Sequence, residues 1–267
     1  MKLKLCDAKS LDIEKTFECG QCFRWNSDDR GVYTGVVGRY LAEVETIDGE
    51  VYITSDAPAE MWADYFDLAT DYAAVSADFT GEYLHECIDY GMGIRILRQD
   101  SWEALCSFII SQCNNISRIK GIVERLCEQF GDKCCANGVS YYTFPSAERL
   151  AALEPSDLAG IRSGYRAEYI IAAARAVTQG ELDLDALKTC DYREAIKTLR
   201  QIRGVGEKVA NCVVLFGLYH MEAFPIDVWM KRALKEHFPA DFDPTSLGAY
   251  AGLAQQYIFY YARSGGK

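Results

Sequence analysis

Two residues in the stretch from 191 to 238 have the types and spacing that nucleophilic attack on carbon requires. Lys208 follows a glycine-rich turn, and Asp227 follows Pro225 at the start of a later predicted helix. A lysine amine attacks carbon only when it is neutral, a form favoured by partial burial and by the positive end of a helix. A nearby carboxylate can stabilise a cationic, sugar-like transition state. Spacing alone leaves a second interpretation open, in which Lys208 contacts phosphate in a DNA-binding hairpin and Asp227 only caps a helix.

The elements that must position these residues are predicted as helix, glycine turn, helix, extended run and helix. Asp191 is placed to cap the first helix, with Glu194 completing a capping box. Gly204 and Gly206 flank Val205 in a turn too tight for side chains, which exposes backbone N–H groups at the positive end of the next helix. Such a turn can bind a phosphate group.

The second helix places Lys208 four residues before Cys212, so that both side chains lie on one face beside an apolar wall. Pro225 then forces extended backbone before it, and Asp227 is placed to cap the helix that carries Trp229. The stretch therefore predicts an amine, a carboxylate and an anion site close together.

The charge distribution changes a first impression of the whole chain. A net charge of −11 and a pI near 4.8 are the reverse of what nucleic-acid-binding proteins usually show. However, residues 1–100 carry 20 acidic and 9 basic side chains, while residues 101–267 carry 19 of each. We therefore expect a local basic face on the second part and weak, salt-sensitive binding to undamaged DNA. Its candidate members lie near predicted loops and helix starts: Arg118, Lys120, Arg162, Arg166, Arg203, Lys208, Lys231 and Arg232.

The cysteines and the apolar runs indicate the protein's cellular compartment and whether it binds a metal or cofactor. Eleven cysteines without a secretory signal predict reduced thiols, and their odd number rules out complete pairing within the chain. Cys19 and Cys22 form a lone C-x-x-C without a second pair or a nearby histidine, so we expect no metal and no cofactor. No apolar run approaches the ~20 residues of a membrane span. A cytosolic protein is expected, or a nuclear one if the source is eukaryotic.

The remaining patterns predict an α+β protein. Alternating residues from 1 to about 56, broken by turns at NSDDRG and IDGE, predict an antiparallel sheet. We expect an N-terminal sheet domain over residues 1–90 and a helical core over 91–267 in two subdomains. Within the core, helices are predicted over 101–112, with Asp100 and Glu103 as a capping box, over 116–130 and over about 247–262, and a loop over 134–145.

Four parts of the sequence resemble the 8-oxoguanine DNA glycosylases of the helix-hairpin-helix superfamily. The matching stretches extend over most of the chain and are FECGQCFRW, RQDSWEALCSFIISQCNNISRIKGIVERLCEQFG, LRQIRGVGEKVANCV with AFPIDVWMKR, and YAGLAQQYIF. The resemblance implies a helix-hairpin-helix at about 191–218. Within the superfamily, a lysine at the position of Lys208 marks enzymes that also cleave the strand at the abasic site.

The resemblance also implies a pocket for a flipped base, because an enzyme that acts on a base must take it out of the stack. Cys212 and Phe259 look like the two walls that sandwich the base. Gln255 looks like the amide that reads its Watson–Crick edge, and Gly20 like the residue whose carbonyl accepts the N7 proton of 8-oxoguanine. From the residues alone, each has an ordinary alternative: two core side chains, a solvated glutamine and a turn glycine.

A second group is implied on the side of the opposite strand. Arg118 and Arg166 match the family's two arginines that contact the cytosine left without its partner, since arginine supplies the donors that cytosine O2 and N3 require. Tyr165 matches a side chain that wedges into the duplex. Asn115 and the hairpin glycines are further expected DNA contacts.

Two departures from the family's animal members concern this second group. Cys113 stands where those members have the first of three consecutive asparagines, which removes one cytosine contact. Trp229 stands where they have a histidine near the lesion phosphate. Both departures affect how strictly cytosine is required, and not the base chemistry.

The sequence thus predicts a bifunctional DNA glycosylase and abasic-site lyase. We expect it to act as a monomer, without membrane association, on double-stranded DNA containing 8-oxoguanine opposite cytosine. Two alternatives stay open. One is a glycosylase of the same superfamily that acts on alkylated bases, which is disfavoured because that group lacks the hairpin lysine. The other is a non-catalytic module that uses the hairpin only to hold phosphate.

Overall fold

The computed structural model describes residues 1–136 and 138–265 and confirms the α+β class, with an N-terminal antiparallel sheet followed by a helical core. The five strands of the main sheet lie in the order β1-β5-β4-β3-β2, and every neighbouring pair is antiparallel. They are β1 Lys2–Asp7, β2 Trp25–Ser27, β3 Tyr33–Val37, β4 Tyr40–Ile47 and β5 Glu50–Ser55.

The predicted turn between β4 and β5 is present and tight. Asp48 and Gly49 have φ values of 51° and 80°, the pair of positive angles that a two-residue hairpin turn of the favoured hand requires. The strand then alternates, so that Val51 and Ile53 are fully buried under the sheet. The expected alternation of buried and exposed residues is therefore confirmed in this hairpin.

The strand prediction is wrong over part of the N-terminal region. Ile13–Glu18 forms helix α1, and the stretch QCFRW contributes only its last residue to a strand. Asp12 caps α1 by accepting the Lys15 N–H at 3.0 Å, and Ile13 and Phe17 are buried four residues apart on one face. Local capping and this helical spacing prevail over the apparent alternation.

Further helices follow along the chain, and all of them except α2 contribute buried residues to the helical core. They are α2 Ala59–Tyr65, α3 Tyr72–Ala77, α4 Glu82–Gly91, α5 Ser101–Ile110, α6 Ile116–Phe130, α7 Ala147–Ala151, α8 Arg166–Thr178, α9 Leu184–Leu187, α10 Tyr192–Leu199, α11 Glu207–Phe216, α12 Val228–His237 and α13 Ala251–Tyr260. Within the described residues, no helix is long and apolar enough to cross a bilayer.

Helix capping follows the sequence closely. Asp100, Asn115, Asp191 and Asp227 are N-caps whose side-chain oxygens accept backbone N–H groups of the first turn. Glu103 was expected to complete a capping box with Asp100. Its carboxylate instead lies 3.6 Å from the buried Arg24 guanidinium. A buried cation attracts it more strongly than a backbone N–H does.

Two further expectations are corrected. The predicted loop over 134–145 contains a small hairpin, β6 Lys133–Ala136 paired with β7 Val139–Tyr142. The last helix is shorter than predicted, because a 3-10 segment, Pro244–Tyr250, precedes α13 and a π-helical turn, Tyr261–Gly265, follows it. Gly248, with φ 74° and ψ −154°, interrupts the 3-10 segment shortly before α13 begins.

The two hydrophobic cores meet along the segment before α5. Sheet residues, α1 and α2 enclose one core around Trp25, Trp62 and Phe66. Helix α4 instead packs on α13 and belongs to the helical core. The domain division at residue 90 stays a prediction.

Candidate active site

The helix-hairpin-helix is formed by α10, a glycine turn and α11. Gly204 has φ +84°, and a Cβ atom there would overlap the ring of Tyr169, so a side chain is excluded by both backbone and space. Gly206 is the N-cap of α11 and has open space where a Cβ would lie. The first N–H groups of α11 receive no side-chain cap from it and point to an approachable surface, which suits a phosphate.

A groove of about 780 Å³ runs beside this turn. Its lining includes Tyr165, Tyr169 and the two hairpin glycines. Arg200 and Arg203 border it, and each forms an ion pair with a glutamate, at 3.5 Å to Glu207 and 2.6 Å to Glu168. The groove combines backbone donors with aromatic rings, which fits a nucleic-acid backbone.

One face of α11 lines a second, smaller cavity. Lys208, Cys212 and Phe216 follow each other at intervals of four residues and all border a space of about 50 Å³. The other walls come from four further parts of the chain: the segment after α1, α5, the segment before α12, and α13. All six residues predicted for catalysis and base binding line this one cavity: Gly20, Lys208, Cys212, Asp227, Gln255 and Phe259.

Lys208 is a half-buried residue that lines this cavity. Its Nζ atom is 3.5 Å from Ser111 Oγ and 5.5 Å from the centroid of the Phe108 ring. Burial raises the pKa of the Cys212 thiol above its ordinary value, although the neighbouring Lys208 opposes the shift. The thiol therefore stays neutral and does not compete as an anionic nucleophile.

Asp227 has two functions in the structure. Its Oδ1 atom accepts the Met230 N–H at 2.9 Å and so caps α12, while its side chain also lines the cavity. Within the described residues, Lys208 and Asp227 form no ion pair within 4.0 Å. The amine and the carboxylate therefore border the same cavity without being paired with each other.

The amide of Gln255 shows that the cavity is prepared for a polar ligand. Only 4% of Gln255 is exposed, and its Oε1 atom has no hydrogen-bond partner within the described residues. Buried polar groups are normally paired, so this acceptor is available to a polar group that enters the cavity. The cavity of about 50 Å³ is much smaller than the ~150 Å³ that accommodate a single benzene ring. A purine base is larger than this space, so its entry requires a wall to move; Phe259 is a half-buried side chain in that wall.

Gly20 faces Phe259 across the cavity. Its φ of +82° lies in the region that favours glycine, and a Cβ there would meet Phe259 Cε1 at 3.5 Å, an ordinary contact. In the structure as it stands, the backbone angle is what requires glycine at this position.

The residues expected to read the opposite base lie away from this cavity. Asn115 caps α6 by accepting the Arg118 N–H at 2.9 Å, and Arg118 itself is exposed on the first turn. Arg166 is buried, and its guanidinium donates to the carbonyls of Gln112 and Ser163. Arg118 is thus the more available donor.

Three further positions singled out in the sequence carry exposed side chains. Tyr165 is 52% exposed, with its ring 4.5 Å from the Arg166 guanidinium. Trp229 is 36% exposed on the first turn of α12. Cys113 is an exposed free thiol with φ 50°, at the turn between α5 and α6.

All eleven cysteines are free thiols, as expected. In residues 1–136 and 138–265, no group of three or more histidine, cysteine or acidic side chains is arranged to hold a metal ion.

Comparison with known families agrees with this geometry. Residues 4–105 match the N-terminal domain of 8-oxoguanine DNA glycosylase, and residues 106–252 match the HhH-GPD superfamily of base excision DNA repair proteins. The chain belongs to the 8-oxoguanine DNA glycosylase family. It is accordingly a DNA-binding repair enzyme, a DNA glycosylase with lyase activity.

Solved structures support the same assignment. The structure of MBOgg1 in complex with a low-affinity DNA ligand is 38% identical, with a TM-score of 0.92, and covers 100% of this chain and 96% of that one. The Clostridium acetobutylicum 8-oxoguanine glycosylase/lyase, in complex with double-stranded DNA containing cytosine opposite 8-oxoguanine, is 34% identical, with a TM-score of 0.91 and coverage of 100% and 99%. By sequence, the chain is also similar to a DNA-3-methyladenine glycosylase of Bacillus subtilis, with 33% identity over 71% of this chain and 68% of the relative.

The candidate site also includes residues that the sequence did not predict. Phe108 and Phe216 stack with centroids 5.4 Å apart, and Gln256 fixes the Gly20 segment by donating to the Cys19 carbonyl at 3.0 Å. Ser111, which contacts the lysine, was also not foreseen. Only Phe216 had a usable signal, because it continues the four-residue spacing of Lys208 and Cys212.

Proposed function

We propose that this enzyme excises 8-oxoguanine opposite cytosine from duplex DNA and then cleaves the abasic strand through a Schiff base on Lys208. The observation that carries the proposal is the convergence of an amine, a carboxylate and an unpartnered amide on one small cavity: Lys208, Asp227 and Gln255. Since one chain contributes every one of these groups, a monomer is sufficient.

Base release begins with attack by the neutral Lys208 amine on the sugar C1′ atom. The bond between C1′ and the base breaks, and the base leaves with the electron pair. The proton lost by the attacking nitrogen balances the proton gained by the departing base. Asp227, with one oxygen engaged in the α12 cap, retains a second oxygen whose negative charge stabilises the cationic sugar in the transition state.

Strand cleavage follows from the same covalent bond. Opening of the sugar ring transfers a proton to O4′ and leaves an imine between C1′ and the Lys208 nitrogen. The imine makes the C2′ protons acidic, so removal of one of them expels the phosphate from C3′ by β-elimination. Water then hydrolyses the imine and returns the free lysine.

The exposed Arg118 on α6 supports the preference for cytosine, because its guanidinium donors match the acceptors on that base. Arg166 acts on the same region through the turn between α5 and α6, whose Gln112 and Cys113 carbonyls it binds. For Arg166 to contact cytosine directly, it must release at least one of these carbonyls.

Borohydride trapping tests the central step. With a duplex carrying 8-oxoguanine opposite cytosine, reduction of the imine leaves the protein covalently joined to the DNA. A wild-type enzyme that released the base but gave no trapped complex would contradict the lysine mechanism. A protein that only holds phosphate would give neither base release nor trapping.

The similarity to an alkylated-base glycosylase makes a second substrate class part of the test. A duplex panel that includes 3-methyladenine, each lesion opposite each of the four bases, separates the two activities. Lys208 favours the oxidised base, because the resemblance associates the hairpin lysine with enzymes that also cleave the strand. Release of 3-methyladenine in preference to 8-oxoguanine would overturn the substrate assignment while leaving the family unchanged.

A further inference from the structure

One charged side chain lies behind the wall of the base cavity and has no part in the chemistry above. Arg263 belongs to the π-helical turn Tyr261–Gly265, directly after α13. The centre of its guanidinium lies 5.5 Å from the centroid of the Phe259 ring. Its Nη2 atom donates a hydrogen bond to the Glu18 carbonyl.

The same guanidinium also lies close to the Glu18–Gly20 segment, which faces Phe259. Its Nη1 atom lies 3.8 Å from the position that a Cβ of Gly20 would take, and it is buried without a partner in the described part of the chain. Arg263 does not itself line the cavity. It therefore touches Phe259 and the Glu18–Gly20 segment from the outside.

This position matters because the cavity is too small for a base. Entry of a purine into about 50 Å³ requires the cavity to widen, and a larger distance between Phe259 and the segment that carries Gly20 widens it. Arg263 contacts both Phe259 and the segment that carries Gly20. The spacing between that ring and that segment therefore depends on Arg263. We infer that Arg263 is a positioning residue that sets the distance between the stacking wall and the Gly20 carbonyl. This inference rests on the proposed function.

The chemistry of arginine suits this position. A planar guanidinium can lie against an aromatic ring and at the same time donate in-plane hydrogen bonds to a carbonyl. A lysine ammonium can keep the charge and one of the bonds but loses the flat contact. A methionine keeps much of the volume and loses both interactions. The two substitutions therefore separate charge and hydrogen bonding from packing.

The experiment compares Arg263→Met and Arg263→Lys in two assays that use the same Lys208. The first measures single-turnover release of 8-oxoguanine opposite cytosine. The second measures strand cleavage at a preformed abasic site, where no base fills the cavity. We expect Arg263→Met to slow base release by about tenfold and Arg263→Lys to recover part of that loss. Cleavage of the abasic strand should stay within about twofold of wild type for both variants.

Arg30→Met is the matched control. Arg30 is an exposed arginine that pairs with Asp28 at 2.8 Å in the loop between β2 and β3, away from the cavity. The same substitution there should change neither assay. Melting temperatures of the three variants show whether the fold is affected.

Equal loss of both activities in Arg263→Met would mean a general structural role and would overturn the inference. So would unchanged base release in that variant. A wild-type enzyme that cleaves abasic strands but leaves 8-oxoguanine intact would instead refute the proposed substrate, and with it the role of Arg263 in positioning that base.

Discussion

The Nζ atom of Lys208 lies 3.5 Å from Ser111 Oγ, and the Ser111 hydroxyl donates its own proton to the Phe108 carbonyl at 2.8 Å. The serine therefore presents lone pairs to the amine. A neutral neighbour of this kind can orient a lysine nitrogen without pairing with it as an anion would. This arrangement suits an amine that must present its own lone pair to a sugar carbon.

Lys208→Gln should abolish both base release and borohydride trapping. The amide cannot form an imine, but it keeps a polar side chain only one atom shorter than lysine, so binding to damaged DNA and the melting temperature should change little. The measurements are single-turnover excision, trapping and a binding titration. Lys188→Gln, at an exposed lysine paired with Asp185, serves as the control. Retained strand cleavage by Lys208→Gln would refute the mechanism.

Asp227→Asn should slow base release much more than it weakens DNA binding. The asparagine keeps an oxygen for the Met230 N–H but loses the charge that stabilises the transition state. Because asparagine is also a good N-cap, the loss of stability should lie at the low end of the ~0.5–2 kcal/mol that a cap contributes. Asp227→Ala should lose both the rate and the cap. Full activity of Asp227→Asn would mean that Asp227 is only a cap.

Lys208, Cys212 and Asp227 show which parts of the candidate site could be predicted from the sequence. Lys208 and Cys212 share one helix at a spacing of four, so their common face was predictable from α11 alone. Asp227 was predictable as a cap because Pro225 fixes where the next helix can begin. Such local rules act within a few residues of the chain.

Contacts between distant segments had no comparable signal. Ser111 meets Lys208 across 97 residues of sequence, and Arg263 meets Glu18 across 245. No periodicity relates such pairs, because tertiary packing alone brings them together. The size of the cavity was likewise unpredictable, since it depends on where Phe259 lies in the absence of a base.

Arg118→Ala should weaken the preference for cytosine more clearly than any other change on the α6 surface. A good base contact contributes ~1–3 kcal/mol of discrimination, so the cytosine ratio should fall by roughly tenfold. The side chain is exposed and its loss should not alter the melting temperature. Excision rates opposite all four bases provide the test, and an unchanged profile would show that the pairing is read elsewhere.

Arg166→Ala should also relax the preference for cytosine, but with a loss of stability. Its buried guanidinium holds the carbonyls of Gln112 and Ser163, and each of them would lose a charged donor. The cost for such bonds is about 1.5–3 kcal/mol each before relaxation. A relaxed profile with an unchanged melting temperature would contradict the structural role.

Cys113→Asn should make the enzyme stricter. The thiol is exposed at the turn between α5 and α6 and has φ 50°, an angle that asparagine tolerates better than most residues. The substitution adds an amide where the thiol has no strong donor. We expect the rate opposite cytosine to be maintained and the rates opposite the other bases to fall. A profile identical to that of the wild type would exclude position 113 from reading the opposite base.

The last prediction concerns how the enzyme distinguishes 8-oxoguanine from the excess of guanine. Both bases have the same Watson–Crick edge, so Gln255 contacts them alike, and Gln255→Ala should weaken base recognition without admitting guanine selectively. The two bases differ at N7, an acceptor in guanine and an N–H donor in 8-oxoguanine. If the Gly20 carbonyl faces N7, the lesion gains a hydrogen bond that contributes about 0.5–1.5 kcal/mol net. Guanine would instead bring two acceptors together, at a cost of about 1–3 kcal/mol.

These two effects together correspond to a discrimination of roughly a hundredfold or more. An 8-oxoguanine analogue with C–H in place of N7–H should therefore be bound and cut markedly worse than 8-oxoguanine. Gly20→Ala should impair base release through its φ of +82°, where a non-glycine residue costs about 1–2 kcal/mol, rather than through the ordinary 3.5 Å contact with Phe259. Excision of the analogue and of 8-oxoguanine is compared for the wild type and for Gly20→Ala. Equal cutting of the two bases by the wild type would remove the Gly20 carbonyl from the mechanism.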